Sequence, residues 1–201
     1  MSASTSLPAT SVLIGAAIAV GAVLGVSATF VWRWYRARSE RLRRKRRIEA
    51  VSVEHVRDVA VPDGSGGMLH IDYLLLTPRG LLVLDLRDVA GNVFGSDPMI
   101  EWTVMQGARR LTFANPQGAM YDRIAALKLL VGDLPIEGRI VFSSAAAFPK
   151  GLPRMTVGEE SLEAEFPLGE RAQAEQIVAV WQESWQRLRG VLEPSEFGAR
   201  R

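Results

Sequence analysis

The 201-residue sequence contains no cysteine, which excludes disulfide bonds and metal sites built from thiolates. Histidine is nearly absent as well, because only His55 and His70 occur and they lack the spacing of a zinc site. Any bound metal is therefore expected to have oxygen ligands. A chain of this length accommodates one domain with a sizeable core plus an appendage.

Charged side chains are absent from residues 1–32 and are concentrated directly after them. Residues 33–47 contain nine Arg or Lys and a single acid. Since the whole chain has 24 basic and 22 acidic residues, residues 48–201 retain 15 basic and 21 acidic ones. The pI of about 9.3 thus reflects one short segment, and the rest of the chain carries a net charge of −6.

The uncharged segment ends in a long apolar run. A helix rises about 1.5 Å per residue and a hydrocarbon core is about 30 Å thick, so residues 11–33 predict a transmembrane helix. Trp32, Trp34 and Tyr35 fall where an interfacial aromatic belt would lie. A cleaved signal peptide is the alternative. It fits less well, because no Lys or Arg precedes the run and the run exceeds a typical signal core.

The basic cluster after the apolar run predicts the orientation. The positive-inside rule places a short N-terminus, residues 1–10, outside and residues 33–201 in the cytoplasm of a single-pass protein of the cell (inner) membrane. Binding to anionic lipid headgroups accounts for the position of the cluster, and binding to nucleic acid is the alternative. The candidate membrane-surface residues are Arg41, Arg43, Arg44, Lys45, Arg46 and Arg47.

Small residues recur at helical spacing within the apolar run. Gly21 and Gly25 form a GxxxG pair, and Ala17 lies one turn earlier on the same face. This spacing lets two helices approach closely, so the segment is a candidate for homodimer formation.

The remainder of the chain has the pattern of a mixed α/β domain over residues 50–192. A basic juxtamembrane helix or linker, residues 34–49, precedes the domain, and a flexible tail, residues 193–201, is expected to follow it. Alternating and β-branched segments predict strands over residues 53–62, 68–77, 81–88, 91–95, 101–106 and 138–144, with a further short strand within 153–158.

Two later segments have helical periodicity. The first follows Asn115 and Pro116, which suit an N-cap and a first helical turn, and extends to about residue 132. The second covers residues 171–192. Its expected apolar face consists of Ile177, Val180, Trp181, Trp185 and Leu188.

The segment HIDYLLLTPRGLLVLDLRD, residues 70–88, predicts two strands that carry charges at positions where a buried strand excludes them. A two-residue turn at Pro78-Arg79 would place Asp72 opposite Asp85, whereas a three-residue loop with a bulge would shift this pairing by one. Two opposed carboxylates repel unless a cation lies between them, and hard divalent cations suit such oxygen ligands. The alternative is that the charges lie on a solvated face or a sheet edge.

An ordered set of motifs around this hairpin resembles the nuclease-related (NERD) domain, a branch of the restriction-endonuclease-like superfamily with a PD-(D/E)xK active site. The resemblance covers residues 53–162. The matching features, in chain order, are Ile71-Asp72, an apolar strand, Gly80, a second apolar strand ending in Asp85-Leu86-Arg87, Gly95, Trp102, Gly107, Asn115-Pro116, Leu127-Lys128 and Val141-Phe142.

The resemblance implies a restriction-endonuclease-like core and a bound Mg²⁺ or Mn²⁺. It implies that Asp72, Asp85 and the backbone carbonyl of Leu86 are metal ligands, and it places Arg87 where the family has its catalytic lysine. Glu40 is a further candidate, as the glutamate of the family's first helix. The sequence departs from the family pattern at Arg87 and at Ala119, where a glutamine is expected.

These departures leave two functions open. Arginine stabilises negative charge but stays protonated, so Arg87 cannot act as a base, although a metal-bound water can still serve as the nucleophile. The acidic domain also suits a polyanionic substrate poorly. We therefore expect either a membrane-anchored, metal-dependent nuclease on the cytoplasmic face or a catalytically reduced nuclease-fold module that acts as a tethered binding or scaffold protein.

Overall fold

A computed structural model describes residues 29, 31–32, 34–35, 38–40 and 42–195, and the chain divides into two units, Met1–Lys45 and Arg46–Arg201. In the first unit every described residue is helical. No helix within the described ranges is long and apolar enough to cross a membrane. Most of the predicted span over residues 11–33, including the Gly21 and Gly25 pair, lies outside those ranges.

The second unit begins with helical residues 46–50 (α1) and is built around a six-stranded mixed sheet. Its spatial order is β10 (Glu193–Pro194), β1 (Glu54–Pro62), β2 (Met68–Thr77), β3 (Gly80–Arg87), β7 (Ile136–Phe142) and β9 (Thr156–Gly158). The β1–β2–β3 strands are antiparallel neighbours, β10 pairs antiparallel with β1, and β7 and β9 add parallel strands beyond β3. The predicted mixed α/β class is confirmed.

A second sheet has four strands, in the order β6 (Arg109–Ala114), β5 (Glu101–Gln106), β4 (Gly91–Phe94) and β8 (Ala146–Ala147). The sequence did not predict β6. Its large apolar residues are only Leu111 and Phe113, which is too short an alternation to indicate a strand, and five of its six residues are exposed.

Helix α2 (Pro116–Val131) begins as predicted, because the Asn115 side chain accepts a hydrogen bond from the Gln117 N–H at 3.0 Å. After the short α3 (Leu162–Glu165), the predicted helix over 171–192 is interrupted. It consists of α4 (Arg171–Val178), a 3₁₀ turn (Ala179–Trp181) and α5 (Gln182–Val191).

The predicted apolar face of this helix is therefore partly wrong. Trp185 and Leu188 are buried as expected, but Ile177 is 41% exposed and Val180 is 77% exposed. A 3₁₀ turn winds more tightly than an α-helix, so residues before and after it do not keep a common 3.6-residue stripe.

The central strands are buried on both faces, which explains their nearly continuous apolar sequence. On one face, Leu74 and Val83 pack with Met120 and Leu127 of α2. The residues that alternate with them on β2 and β3 pack on the other face, in a cluster of Ile48, Val51, Tyr73, Leu75, Leu82, Leu84, Val141, Val157, Leu162 and Phe166. The expected boundary at residue 50 thus falls inside a helix whose Ile48 belongs to the core.

The turn between β2 and β3 has two residues, since Thr77 pairs directly with Gly80. The predicted two-residue turn is confirmed, and the bulged loop is not formed. Gly80 has φ +114°, and a Cβ on it would lie 2.3 Å from the Pro135 carbonyl oxygen. Only glycine fits this position, and its fit fixes the register of the whole hairpin.

Candidate active site

Asp72 and Asp85 lie on the sheet face that packs against α2. They are only 6% and 4% exposed, so the alternative of a solvated strand face does not hold for them. Asp85 follows Leu81 and Val83 at two-residue steps, and Asp72 precedes Leu74 in the same way, which brings both carboxylates to one face of adjacent strands.

The ladder between β2 and β3 stops where these residues begin. Its last pair is Tyr73 with Leu84, and the N–H of Leu86 donates to Asp72 Oδ2 at 2.7 Å in place of a backbone acceptor. N–H and C=O of a strand residue point to the same neighbouring strand, so the Leu86 carbonyl also faces the β2 side. The Asp72 carboxylate therefore takes the place of the backbone acceptor that a further ladder pair would supply.

Two guanidinium groups neutralise Asp85. Its Oδ2 accepts a hydrogen bond from Arg87 Nη2 at 2.7 Å and another from Arg123 Nη1 at 3.2 Å. Arg123 comes from α2, and its Nε donates to the backbone carbonyl of His70 at 2.5 Å. The Nε of Arg87 is buried and has no hydrogen-bond partner among the described residues.

Asp72 is held from its other side by a histidine. His70 Nε2 lies 3.0 Å from Asp72 Oδ1, and His70 Nδ1 lies 2.6 Å from Ser195 Oγ. An ionised carboxylate only accepts, so Nε2 carries a proton and donates it to Asp72. The hydroxyl of Ser195 then donates to Nδ1 in the neutral ring or accepts from it in the imidazolium.

Asp58 completes this side of the site from β1. The pairs Arg57–Tyr73 and Val59–Ile71 flank the positions of Asp58 and Asp72, and Asp58 adopts φ +52°. This left-handed conformation is one that aspartate tolerates better than most residues. Ligand atoms of Asp58, His70 and Asp72 all lie within 4.8 Å of one another.

The profile of the nuclease-related domain matches residues 36–143, which is more than half of the chain. The chain belongs to the nuclease-related domain (NERD) family. The match begins earlier than the resemblance described above and ends before β9. Searches of curated proteins and of solved structures each found no match.

The residues that the NERD pattern singled out are partly brought together. Asp72, Asp85, Leu86 and Arg87 lie at one end of the β2–β3 hairpin. Glu40 is helical and lies in the first unit, and Ala119 is exposed on α2. Within the basic cluster, Arg41 lies outside the described residues, and Arg47 is 4.0 Å from Glu160.

Asp58, Arg123 and Ser195 were not predicted from the sequence as site residues, and His70 was predicted only to share a strand face with Asp72. His70 interrupts an apolar strand, which is the signal that identified Asp72 and Asp85, whereas Asp58 lies in the polar first half of β1, beside Arg57. Arg123 and Ser195 carry no such signal, since a charged helix residue and a serine after a helix are ordinary surface features. Ser195 also lies beyond the matched NERD region.

Proposed function

We propose that this NERD protein is a membrane-anchored, divalent-cation-dependent phosphodiesterase that cleaves nucleic acid on the cytoplasmic face. The observation that carries the proposal is the convergence of Asp72, Asp85 and Arg87 with Arg123 at one end of the central hairpin. The tether and its orientation rest on the apolar run over residues 11–33 and the basic cluster after it.

The donor set fits a hard divalent cation such as Mg²⁺ or Mn²⁺. Two buried carboxylates, Asp72 and Asp85, share one sheet face, and the Leu86 carbonyl faces the β2 side beyond the end of the ladder. When bound, such a cation supplies an activated water and neutralises charge on the phosphate.

The two guanidinium groups provide the remaining chemistry. Arg87 and Arg123 both bind the Asp85 carboxylate, and a carboxylate and a phosphate oxygen are alternative acceptors for the same planar donors. We assign both arginines to stabilisation of negative charge on the scissile phosphate. Neither acts as a base, because guanidinium stays protonated.

A second candidate, a catalytically reduced module that binds a partner at the membrane, is favoured by one observation. Asp85 Oδ2 already accepts hydrogen bonds from two guanidinium groups, which are cations that compete with a metal for the same oxygen. In this case the ion pairs would serve only the stability of the fold.

Nuclease assays on the full chain in detergent separate the two candidates. With Mg²⁺ or Mn²⁺, we expect cleavage of DNA or RNA that falls about 100-fold or more in Asp85→Asn and in Arg87→Ala, and that persists in Arg87→Lys. The matched control is His55→Gln, whose histidine pairs with Glu49 outside the site. We also expect Mg²⁺ to raise the melting temperature of the wild type but not of Asp85→Asn.

The opposite result would support the reduced module. Wild-type cleavage no greater than that of Asp85→Asn, with equal melting temperatures in Mg²⁺ and in EDTA, would contradict the phosphodiesterase.

A further inference from the structure

We propose that Asp58, His70 and Asp72 form a second divalent-cation site, which takes a transition-metal ion such as Mn²⁺ and shares Asp72 with the site of the proposed function. The proposal rests on the geometry of these three side chains and does not depend on nuclease activity. It also differs from the expectation that any metal here would have oxygen ligands alone.

The spacing of the three side chains suits a shared ion. Ligand atoms about 2.2 Å from one metal lie at most about 4.4 Å apart, and the atoms of this cluster lie within 4.8 Å of one another. A small rotation of one side chain closes the difference. Asp72 is buried, and Asp58 and His70 are half-buried.

The donor chemistry differs from that of the Asp72–Asp85 pair. One imidazole and two carboxylates suit borderline ions such as Mn²⁺ or Zn²⁺, whereas Mg²⁺ prefers oxygen alone. The charges differ as well. Asp85 is paired with two guanidinium groups, whereas no Arg or Lys in the described part of the chain forms an ion pair with Asp58.

Ser195, directly after β10, supports this cluster. Its N–H donates to the Asp58 carbonyl at 2.8 Å, and its hydroxyl contacts His70 Nδ1 at 2.6 Å. A metal-ligating histidine usually donates its other ring N–H to a fixed acceptor, which sets the tautomer and the ring orientation. A cation at this cluster would replace the Nε2 proton that His70 donates to Asp72. The ring would then carry its proton on Nδ1 and donate it to Ser195 Oγ, and the Nε2 lone pair would face the ion.

Asp72 then has a bridging position. One of its oxygens faces His70 and the other faces the Leu86 N–H on the β3 side. Its two oxygens could therefore contribute one ligand to each of the two proposed sites, and two-metal sites occur in phosphodiester hydrolysis.

The proposal is tested by counting the Mn²⁺ ions bound per chain. The full chain in detergent is titrated with Mn²⁺, and bound ions are measured as the loss of the electron paramagnetic resonance signal of free Mn²⁺. We expect Asp85→Asn to retain one bound Mn²⁺, whose affinity falls at least tenfold when His70→Gln or Asp58→Asn is added. Asparagine tolerates positive φ, so Asp58→Asn preserves the backbone. The matched controls in the Asp85→Asn background are His55→Gln and Asp133→Asn. Asp133 is an exposed acid in the turn after α2, near the start of β3 and thus at the opposite end of that strand from Asp85.

Ser195→Ala tests the contact between Ser195 Oγ and His70 Nδ1, and we expect it to weaken Mn²⁺ binding in the Asp85→Asn background. Circular dichroism and melting in EDTA verify that each variant is folded. Absence of bound Mn²⁺ in folded Asp85→Asn, or equal affinity in the His70, Asp58 and control variants, would overturn the proposal. Failure of the nuclease assay alone would leave this binding result unchanged, so the two proposals fail separately.

Discussion

Gly80 shows how a single residue determines where the site residues lie. Its φ is +114°, and a Cβ at this position would lie 2.3 Å from the Pro135 carbonyl oxygen, so no side chain fits. We expect Gly80→Ala to lower the free energy of unfolding by about 3 kcal/mol or more, because strain at positive φ adds to a clash with backbone. Urea denaturation checks this value.

The matched control is Gly66→Ala in the β1–β2 loop. Gly66 has φ +95° but nothing lies within 4 Å of its Cβ position, so only the conformational cost of about 1 kcal/mol is expected. Equal losses in the two variants would show that the contact with Pro135 has no effect on stability.

At the residue scale, the sequence pointed to those residues of the candidate site that violate a strand pattern. Asp72, Asp85 and Arg87 stand out because charge inside an apolar strand requires a partner. Their partners do not stand out. Arg123 reaches Asp85 across 38 positions and Ser195 reaches His70 across 125, so only the packing of α2 and β10 on the sheet reveals them.

At the element scale, Glu54 joins β1 to α5. Its carboxylate accepts hydrogen bonds from Trp185 Nε1 at 2.7 Å and from Gln182 Nε2 at 2.8 Å, and Arg189 Nη1 lies 3.6 Å away. The hydrogen bond from Gln182, with that of Trp185 and the charge of Arg189, holds the pKa of Glu54 below its usual value. Trp185 is fully buried, so its N–H depends on this acceptor.

We expect Glu54→Gln to lower the free energy of unfolding by about 1 kcal/mol at neutral pH. Because the pKa of Glu54 is lower in the folded protein, its stabilisation is present above the unfolded-state pKa and is lost as pH falls through the folded-state pKa. The difference between wild type and variant should therefore shrink on acidification. Denaturation at pH 7 and below pH 4.5 measures it.

Glu175→Gln is the control for this substitution. Glu175 forms an exposed i, i+4 ion pair with Arg171, which is expected to contribute little at any pH. If the difference in unfolding free energy between wild type and Glu54→Gln stays constant with pH, the stabilisation does not come from the ionised form of Glu54.

Strands and helices were predictable from the sequence where one or both of their faces are buried. The partial alternation of β1, the nearly continuous apolar runs of β2 and β3, the β-branched content of β7 and the helical periodicity of α2 all predicted these elements, and the Asn115 cap fixes where α2 begins. β6 and the 3₁₀ turn were not predictable. In β6 only Leu111 and Phe113 alternate as apolar residues, which is too short a pattern to indicate a strand. The break after Val178 lies inside a sequence with no Gly or Pro to mark it.

At the scale of the whole molecule, charge separates two segments of the chain. Residues 33–47 have nine basic side chains and one acid, whereas residues 48–201 carry a net charge of −6. Anionic lipid headgroups attract the first segment and repel the second, and the phosphates of a nucleic acid do the same. In the proposed nuclease, binding of a polyanionic substrate would therefore depend on local groups such as Arg87 and Arg123 rather than on the overall charge of the domain.

The absence of cysteine makes the proposed membrane topology directly testable, because an introduced thiol is the only one in the chain. We expect Ser2→Cys to react with a membrane-impermeant maleimide in intact cells (in spheroplasts if an outer membrane is present). Asp133→Cys, on an exposed position of the domain, should react only after lysis. The expectation follows from the nine basic residues after the apolar run, which the positive-inside rule keeps in the cytoplasm.

Labelling of both positions after denaturation verifies that each thiol is reactive. Labelling of Asp133→Cys in intact cells would reverse the topology, and recovery of both variants in the soluble fraction would exclude the anchor.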